Sequence, residues 1–204
     1  MKKIMFNDKF GLTKAVLEGR KTMTRRVIGV PEYWRGQWVW GAGPDGQTLM
    51  LYDADEGQMM DEDTGDFAQI SPKYHKGEVA IAQSYKDALG FEGSEYWQRH
   101  SAGWNNKMFV QADYMPHRIR ITDIKVEQLH DISDDDCLRE GIIRKWIEAG
   151  ALYYYYVPGV EVKSKNDIYP SARDAFAVLI DKVSGKGTWA ANPWVFVYSF
   201  ELVI

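Results

Sequence analysis

The sequence predicts an α+β protein built on a barrel or a curved antiparallel sheet, and three observations carry that reading. Strand-like alternation and helical spacing both occur, but in an order without the regular βαβ repeat of a Rossmann-type fold. No internal repeat or low-complexity linker divides the 204 residues, so one domain covering 1–204 is expected. Hydrophobic residues at 45% and charged residues at 26% place the chain with proteins that bury a core and away from disordered ones.

Taken in order, residues 3–6 read as a short strand, and Asp8 as the N-cap of a helix running to about Glu18. Leu12, Ala15 and Val16 share one face of that helix, Lys14 and Glu18 pair four apart on another, and Gly19 ends it. Residues 22–28 are rich in β-branched and extended-chain types and form the next strand. Segments 37–40 and 48–52 flank Gly43-Pro44-Asp45-Gly46, whose Pro presets φ and whose Gly accepts positive φ, so a hairpin is expected. An acidic run with a second turn at Asp63-Thr64-Gly65-Asp66 follows and returns at 67–70, reading as a solvated excursion.

Val79-Ala80-Ile81-Ala82 is a continuous apolar run of the buried-strand type, and 86–106 is expected to be a long ordered loop. Residues 108–110 and 118–129 alternate as strands, and Ile119, Ile121, Ile124 and Val126 share the core side only if the chain bulges near Thr122-Asp123. Ser133 caps a short helix with Asp134, Asp135 and Asp136 in its first turn, and Gly141 stops it. A helix over 172–183 and a closing strand over 194–203 complete the chain, with a Tyr-rich insertion around Tyr153-Tyr154-Tyr155-Tyr156 between.

The net charge of −4 argues against a protein that coats nucleic acid by bulk electrostatics. That average conceals an asymmetry. Residues 1–26 hold eight Lys or Arg against two acids, a net of +6, and residues 45–66 hold eight acids and no cation. A local anion site at the basic end, and a protein partner for the acidic hairpin, are the expectations that follow.

No apolar run is long enough to cross a bilayer, and the start reaches Asn7-Asp8-Lys9 before a signal sequence can form. The single cysteine, Cys137, excludes an internal disulfide and suits a cytoplasmic location. His75, His100, His117 and His130 are scattered, and position 12 of an EF-hand begun at Asp53 is Thr64 where Glu is required, so neither a metal nor a cofactor is expected. Asp63-Thr64-Gly65 lacks the flanking strand and second copy of an aspartic protease, and Gly185-Lys186-Gly187-Thr188 lacks the earlier glycine of a phosphate loop, Ile180 standing there.

The stretch Leu17-Glu18-Gly19-Arg20-Lys21-Thr22-Met23-Thr24-Arg25-Arg26 resembles the Gly-x-Lys-Thr signature of the ASCH family, in its phage and prophage branch. Gly77-Glu78-Val79, then Ile132 to Ile142 with Glu140-Gly141, then Trp189-Ala190-Ala191-Asn192-Pro193-Trp194 follow in the family's order. The resemblance implies a PUA-like (ASCH) mixed or antiparallel β-barrel with flanking helices, here carrying β-hairpin insertions at about 37–70 and 143–170. It also implies a cleft, lined by the Lys-Thr segment, that binds RNA, a nucleotide or a modified nucleoside.

Small ASCH proteins similar to this chain include amidohydrolases that deacylate N4-acetylcytidine, and by motif position their catalytic Lys, Thr and Glu match Lys21, Thr24 and Glu140. Two readings stand together: a nucleotide- or RNA-binding module, and an amidohydrolase with Thr24 as nucleophile, Lys21 as base and Glu140 as acid. Arg20, Thr22, Arg25 and Arg26 join the candidate binding set, Arg for its planar fork, with Asn192 and Trp194 as an amide and a stacking face for a base. Residues 21 and 24 have opposite strand parity, so they converge only if the chain bends just after Gly19.

Overall fold

The computed structural model describes residues 1–30, 39–53, 57–58, 69–89, 100–148 and 152–203. Strand β1 (Lys3–Ile4) is followed by a 3-10 turn at Asp8–Phe10 and helix α1 (Leu12–Leu17). The single helix expected from Asp8 is thus split, because Gly11 adopts φ +60° between the two pieces. Asn7 takes the capping role, accepting from Lys9 N at 3.0 Å, and the Asp8 carboxylate accepts instead from the Thr13 hydroxyl and pairs with Lys107 at 2.7 Å. The reversal sends Phe10 into the core, and Leu12, Ala15 and Val16 are buried on the face their spacing predicts.

Strand β2 (Met23–Val27) follows, then the antiparallel pair β3 (Val39–Ala42) and β4 (Leu49–Asp53) across the expected turn. β5 (Gly57–Gln58) and β6 (Gln69–Ile70) both pair with β4. Leu49, Met50 and Leu51 of this hairpin are buried, and Gly46 O accepts from Val126 N at 2.8 Å. Its turn therefore docks against the main sheet. Residues 37–38, the turn at 63–66 and the acids Asp55, Glu56, Asp61 and Glu62 lie outside the described residues.

β7 (Gly77–Ile81) runs into α2 (Tyr85–Leu89), so the long loop expected over 86–106 begins as helix, and 90–99 lie outside the described residues. Residues 107–109 form a 3-10 turn with Met108 and Phe109 exposed, not a strand. Asn106 accounts for the difference, its side chain accepting from Met108 N at 2.9 Å and closing a turn.

β8 (Arg118–Gln128) carries Ile119, Ile121, Ile124 and Val126 to the core as expected. The register with its neighbour passes from Asp123 opposite Ser199 to Ile121 opposite Phe200, so Thr122 is the extra residue of a bulge. α3 (Asp134–Arg139) is capped by Ser133 Oγ accepting from Asp136 N at 3.1 Å. β9 (Ile143–Ile147) and β10 (Leu152–Tyr156) form a separate antiparallel ribbon. α4 (Ala172–Ser184), α5 (Thr188–Ala191) and β11 (Trp194–Val203) end the described chain.

The main sheet has the order β1-β7-β8-β11-β2, antiparallel except where β1 meets β7. It is an α+β fold with mixed sheets. Among the described residues no pairing joins the two edge strands β1 and β2, so the sheet is open where the sequence suggested a closed barrel. The gap is crossed by one side chain, Arg26, whose NH2 donates to Met5 O at 2.5 Å. Edge β2 lacks the backbone partner that closure requires because residues 5–7 turn away into the capped 3-10 segment. No helix among the described residues is long and apolar enough to cross a membrane.

Candidate functional site

The site grows from the exit of α1. Gly19, at φ +71°, closes the helix in the left-handed region, and both Arg20 N and Lys21 N donate to Ala15 O. The chain thus bends just after Gly19, as the convergence of Lys21 and Thr24 requires, and strand β2 begins only at Met23. Lys21 folds inward until it is 2% exposed, while Thr24, on β2 opposite Tyr198, is 5% exposed.

Glu140 comes from the C-terminal cap of α3, which Gly141 turns back toward α1. Its Oε2 accepts from Lys21 Nζ at 2.6 Å, its backbone oxygen at 2.8 Å, and Met23 O takes the third ammonium proton at 2.7 Å. Lys21, Thr24 and Glu140 line one cavity of about 130 Å³, walled on the apolar side by Leu12 and by Phe176, Leu179 and Ile180 of α4. Among the described residues nothing hydrogen-bonds the Thr24 hydroxyl, which leaves it available to a ligand.

Burial pulls the Lys21 ammonium below the ordinary lysine value; Glu140 opposes that, and Arg26 and Arg25 add to it. The leading cause is desolvation, which a sequence does not display.

Arg25 lines the same cavity, and its cation is buried and held by carboxylates. Its side chain is fully covered, with Nε and NH2 on Glu127 Oε1 at 2.9 and 2.6 Å, NH2 on Asp136 Oδ2 at 2.9 Å and NH1 on Glu140 Oε1 at 3.3 Å. Arg25 thereby fixes one oxygen of Glu140 and leaves the other to Lys21. Lys125 completes the network on Glu127 Oε2 at 2.6 Å.

The other expected site residues separate from this cavity, except Arg26. Arg20 is exposed and paired with Glu18 at 2.6 Å. The Thr22 hydroxyl accepts from Arg139 Nε at 3.4 Å. Asn192, at φ 44°, accepts from His130 N at 2.8 Å and serves the turn before β11. Trp194 sits opposite Gln128 and packs on the core, four residues along β11 from the partner of Thr24, about 13 Å at strand rise. Trp189 is held by His130, Phe176 and Arg173.

The basic end is for the most part internally neutralised, since Lys2 and Lys3 hold backbone oxygens and Lys14 holds Glu18. Arg26 differs. It lines the cavity, its guanidinium lies 5.8 Å from the Phe6 ring centre, and its Nε is buried without a hydrogen-bond partner.

Sequence reasoning missed two components. Glu127 and Asp136 emerge as the carboxylates that hold Arg25; the three-strand register, which sets Arg25 and Val27 level with Lys125 and Glu127, is the signal that finds the first. The α4 wall has no sequence signal beyond its apolar face, because any packed helix has one.

Compared with protein-family models, with curated proteins and with solved structures, the chain matches none.

Proposed function

We propose that this chain is an ASCH-type, PUA-like domain acting as an amidohydrolase on N4-acylated cytidine or a similar small amide. One observation carries the reading: Glu140, 119 residues from Lys21 in sequence, joins Lys21 and Thr24 in the lining of a single cavity, with the Lys21–Glu140 contact at 2.6 Å. The order of the four sequence blocks supports the family part of the proposal.

The chemistry balances with these residues alone. A proton moves from the Lys21 ammonium to Glu140, leaving a neutral amine beside Thr24. That amine takes the hydroxyl proton as Thr24 Oγ attacks the amide carbon, and the carbonyl π electrons move to oxygen. Collapse breaks the C–N bond, the leaving nitrogen takes the proton held by Glu140, and the acyl group stays on Thr24 as an ester. The Lys21 ammonium then passes its proton to Glu140 again, the neutral amine takes a proton from water as the water oxygen attacks the ester carbon, and collapse breaks the C–O bond to Thr24, whose oxygen takes the proton held by Glu140; the carboxylic acid leaves and the threonine is restored.

Incubation with N4-acetylcytidine and chromatography of the products tests this. Release of cytidine and acetate, abolished in Lys21→Ala and in Thr24→Val, is the expected result. Wild-type protein that binds the nucleoside yet leaves it intact would overturn the hydrolase. That outcome would favour the second reading, a nucleotide- or RNA-binding module, for which the complete engagement of the Lys21 ammonium by three acceptors is the supporting observation.

A further inference from the structure

The cavity around Thr24 is smaller than the roughly 300–1,000 Å³ typical of sites that enclose a small molecule. It adjoins a second hollow of about 340 Å³, and the two share Met5, Arg26 and Val27 in their walls. The second hollow has a definite chemistry. Tyr74, Phe196 and Tyr198 supply aromatic surface, Arg26 and Lys73 supply two cations, and no carboxylate is in the described lining.

Both cations have capacity to spare. Arg26 has its buried, unpartnered Nε, and the exposed Lys73 has its ammonium 5.6 Å from the Tyr74 ring centre. A buried guanidinium N–H without an acceptor is costly unless a ligand supplies one. Elsewhere in the basic end Lys14, Arg20, Lys21 and Arg25 are matched by carboxylates and Lys2 and Lys3 by backbone oxygens, whereas Arg26 and Lys73 meet in a hollow without a carboxylate in its described lining.

We infer that this second hollow is the subsite for the leaving half of the substrate, and that the substrate carries an anionic group there: a pyrimidine nucleotide bearing a phosphate, in preference to the uncharged nucleoside. The pyrimidine identity rests on the amide-hydrolysis proposal; the demand for an anion beside a planar ring rests on the hollow itself. Arg26, at the junction, spans both halves, and Lys73 at the rim meets the phosphate as a point charge.

Calorimetric titration with cytidine and with cytidine 5′-monophosphate tests the subsite without any cleavable bond. The monophosphate is expected to bind about tenfold more tightly, an advantage that falls as salt is raised. In Lys73→Gln the ratio of the two affinities drops toward one, and in Lys73→Arg it is retained. Equal affinities in the wild type, binding of neither compound, or an undiminished ratio in Lys73→Gln would each overturn the inference.

A 5′-phosphorylated oligoribonucleotide titrated alongside distinguishes the source of the phosphate: tighter binding than the mononucleotide assigns the subsite to an RNA end. Monophosphate binding with no turnover of N4-acetylcytidine would remove the hydrolase proposal and leave this subsite standing. Turnover with no phosphate preference would do the reverse.

Discussion

Lys21 shows how one residue acquires its character from its surroundings. In water its ammonium is charged well past neutrality; here desolvation works against the charge and Glu140 works for it, with the balance on the side of a lowered pKa. If Lys21 hands its proton to Glu140 in each turnover, losing that proton to solvent removes the acid, so the rate of amide hydrolysis falls as pH rises, with the fall beginning below the ordinary lysine value of about 10.4. A pH–rate profile still climbing above that value would contradict the assignment. The same shift has a stability sign. Between the lowered folded value and the ordinary one the unfolded chain binds the additional proton, so the Lys21 contribution to stability increases as pH rises through that window.

Arg25 makes the opposite point, because its value lies in what its removal exposes. Arg25→Ala would strand Glu127, Asp136 and Glu140 around a fully buried position. A loss of about 3–5 kcal/mol is expected from urea denaturation, the range for breaking one side of a buried ion network. Replacement by Lys keeps the charge but not the fork that reaches three carboxylates, so an intermediate loss is expected from the same measurement. A neutral effect of Arg25→Ala would show that water already reaches this network.

At the scale of elements, β8 organises the molecule. It pairs with β7 at one end and with the whole of β11, and the extra residue Thr122 lets Ile119 and Ile121 face the same core as Ile124 and Val126. Deleting Thr122 removes the bulge and turns one half of the strand over, because a one-residue slip exchanges the two faces. Loss of the dispersed amide NMR spectrum is the expected outcome. A folded deletion protein of wild-type stability would mean that another residue absorbs the bulge. Helix α3 depends on a smaller device: Ser133→Ala removes the acceptor for Asp136 N and is expected to cost about 1 kcal/mol by thermal or urea unfolding.

At the scale of the whole molecule, Cys137 reports on the fold. It is fully buried, and burial pushes its thiol up to about 12. Between the ordinary value of 9.0 and that figure, the unfolded chain loses the proton while the folded one keeps it, so stability falls as pH rises through this range. The native thiol is expected to resist a disulfide reagent at pH 8 and to react only at the rate of unfolding, which stopped-flow labelling in rising urea would show. Immediate reaction in the native protein would place the thiol at the surface.

Much of this architecture was legible in the chain of residues. The periodicity of α1, the Gly43-Pro44-Asp45-Gly46 turn, the Ser133 cap, the bulge at Thr122 and the closing strand are local or two-body patterns, fixed by side-chain period, turn chemistry and cap chemistry. The split at Gly11 and the turn at Asn106 escaped because a short polar side chain that bonds its own backbone competes with helix or strand, and composition does not reveal which wins.

The sequence by itself determined the α+β class, and Lys21, Thr24 and Glu140 were grouped only through the motif resemblance. Only the tertiary structure decided that these three converge, that Arg25 is held by three carboxylates beside them, and that Asn192 and Trp194 stand apart. The reason is physical: whether an ionisable side chain reacts, pairs or merely packs depends on its desolvation and on neighbours brought from distant positions, and neither is encoded within a few residues of it.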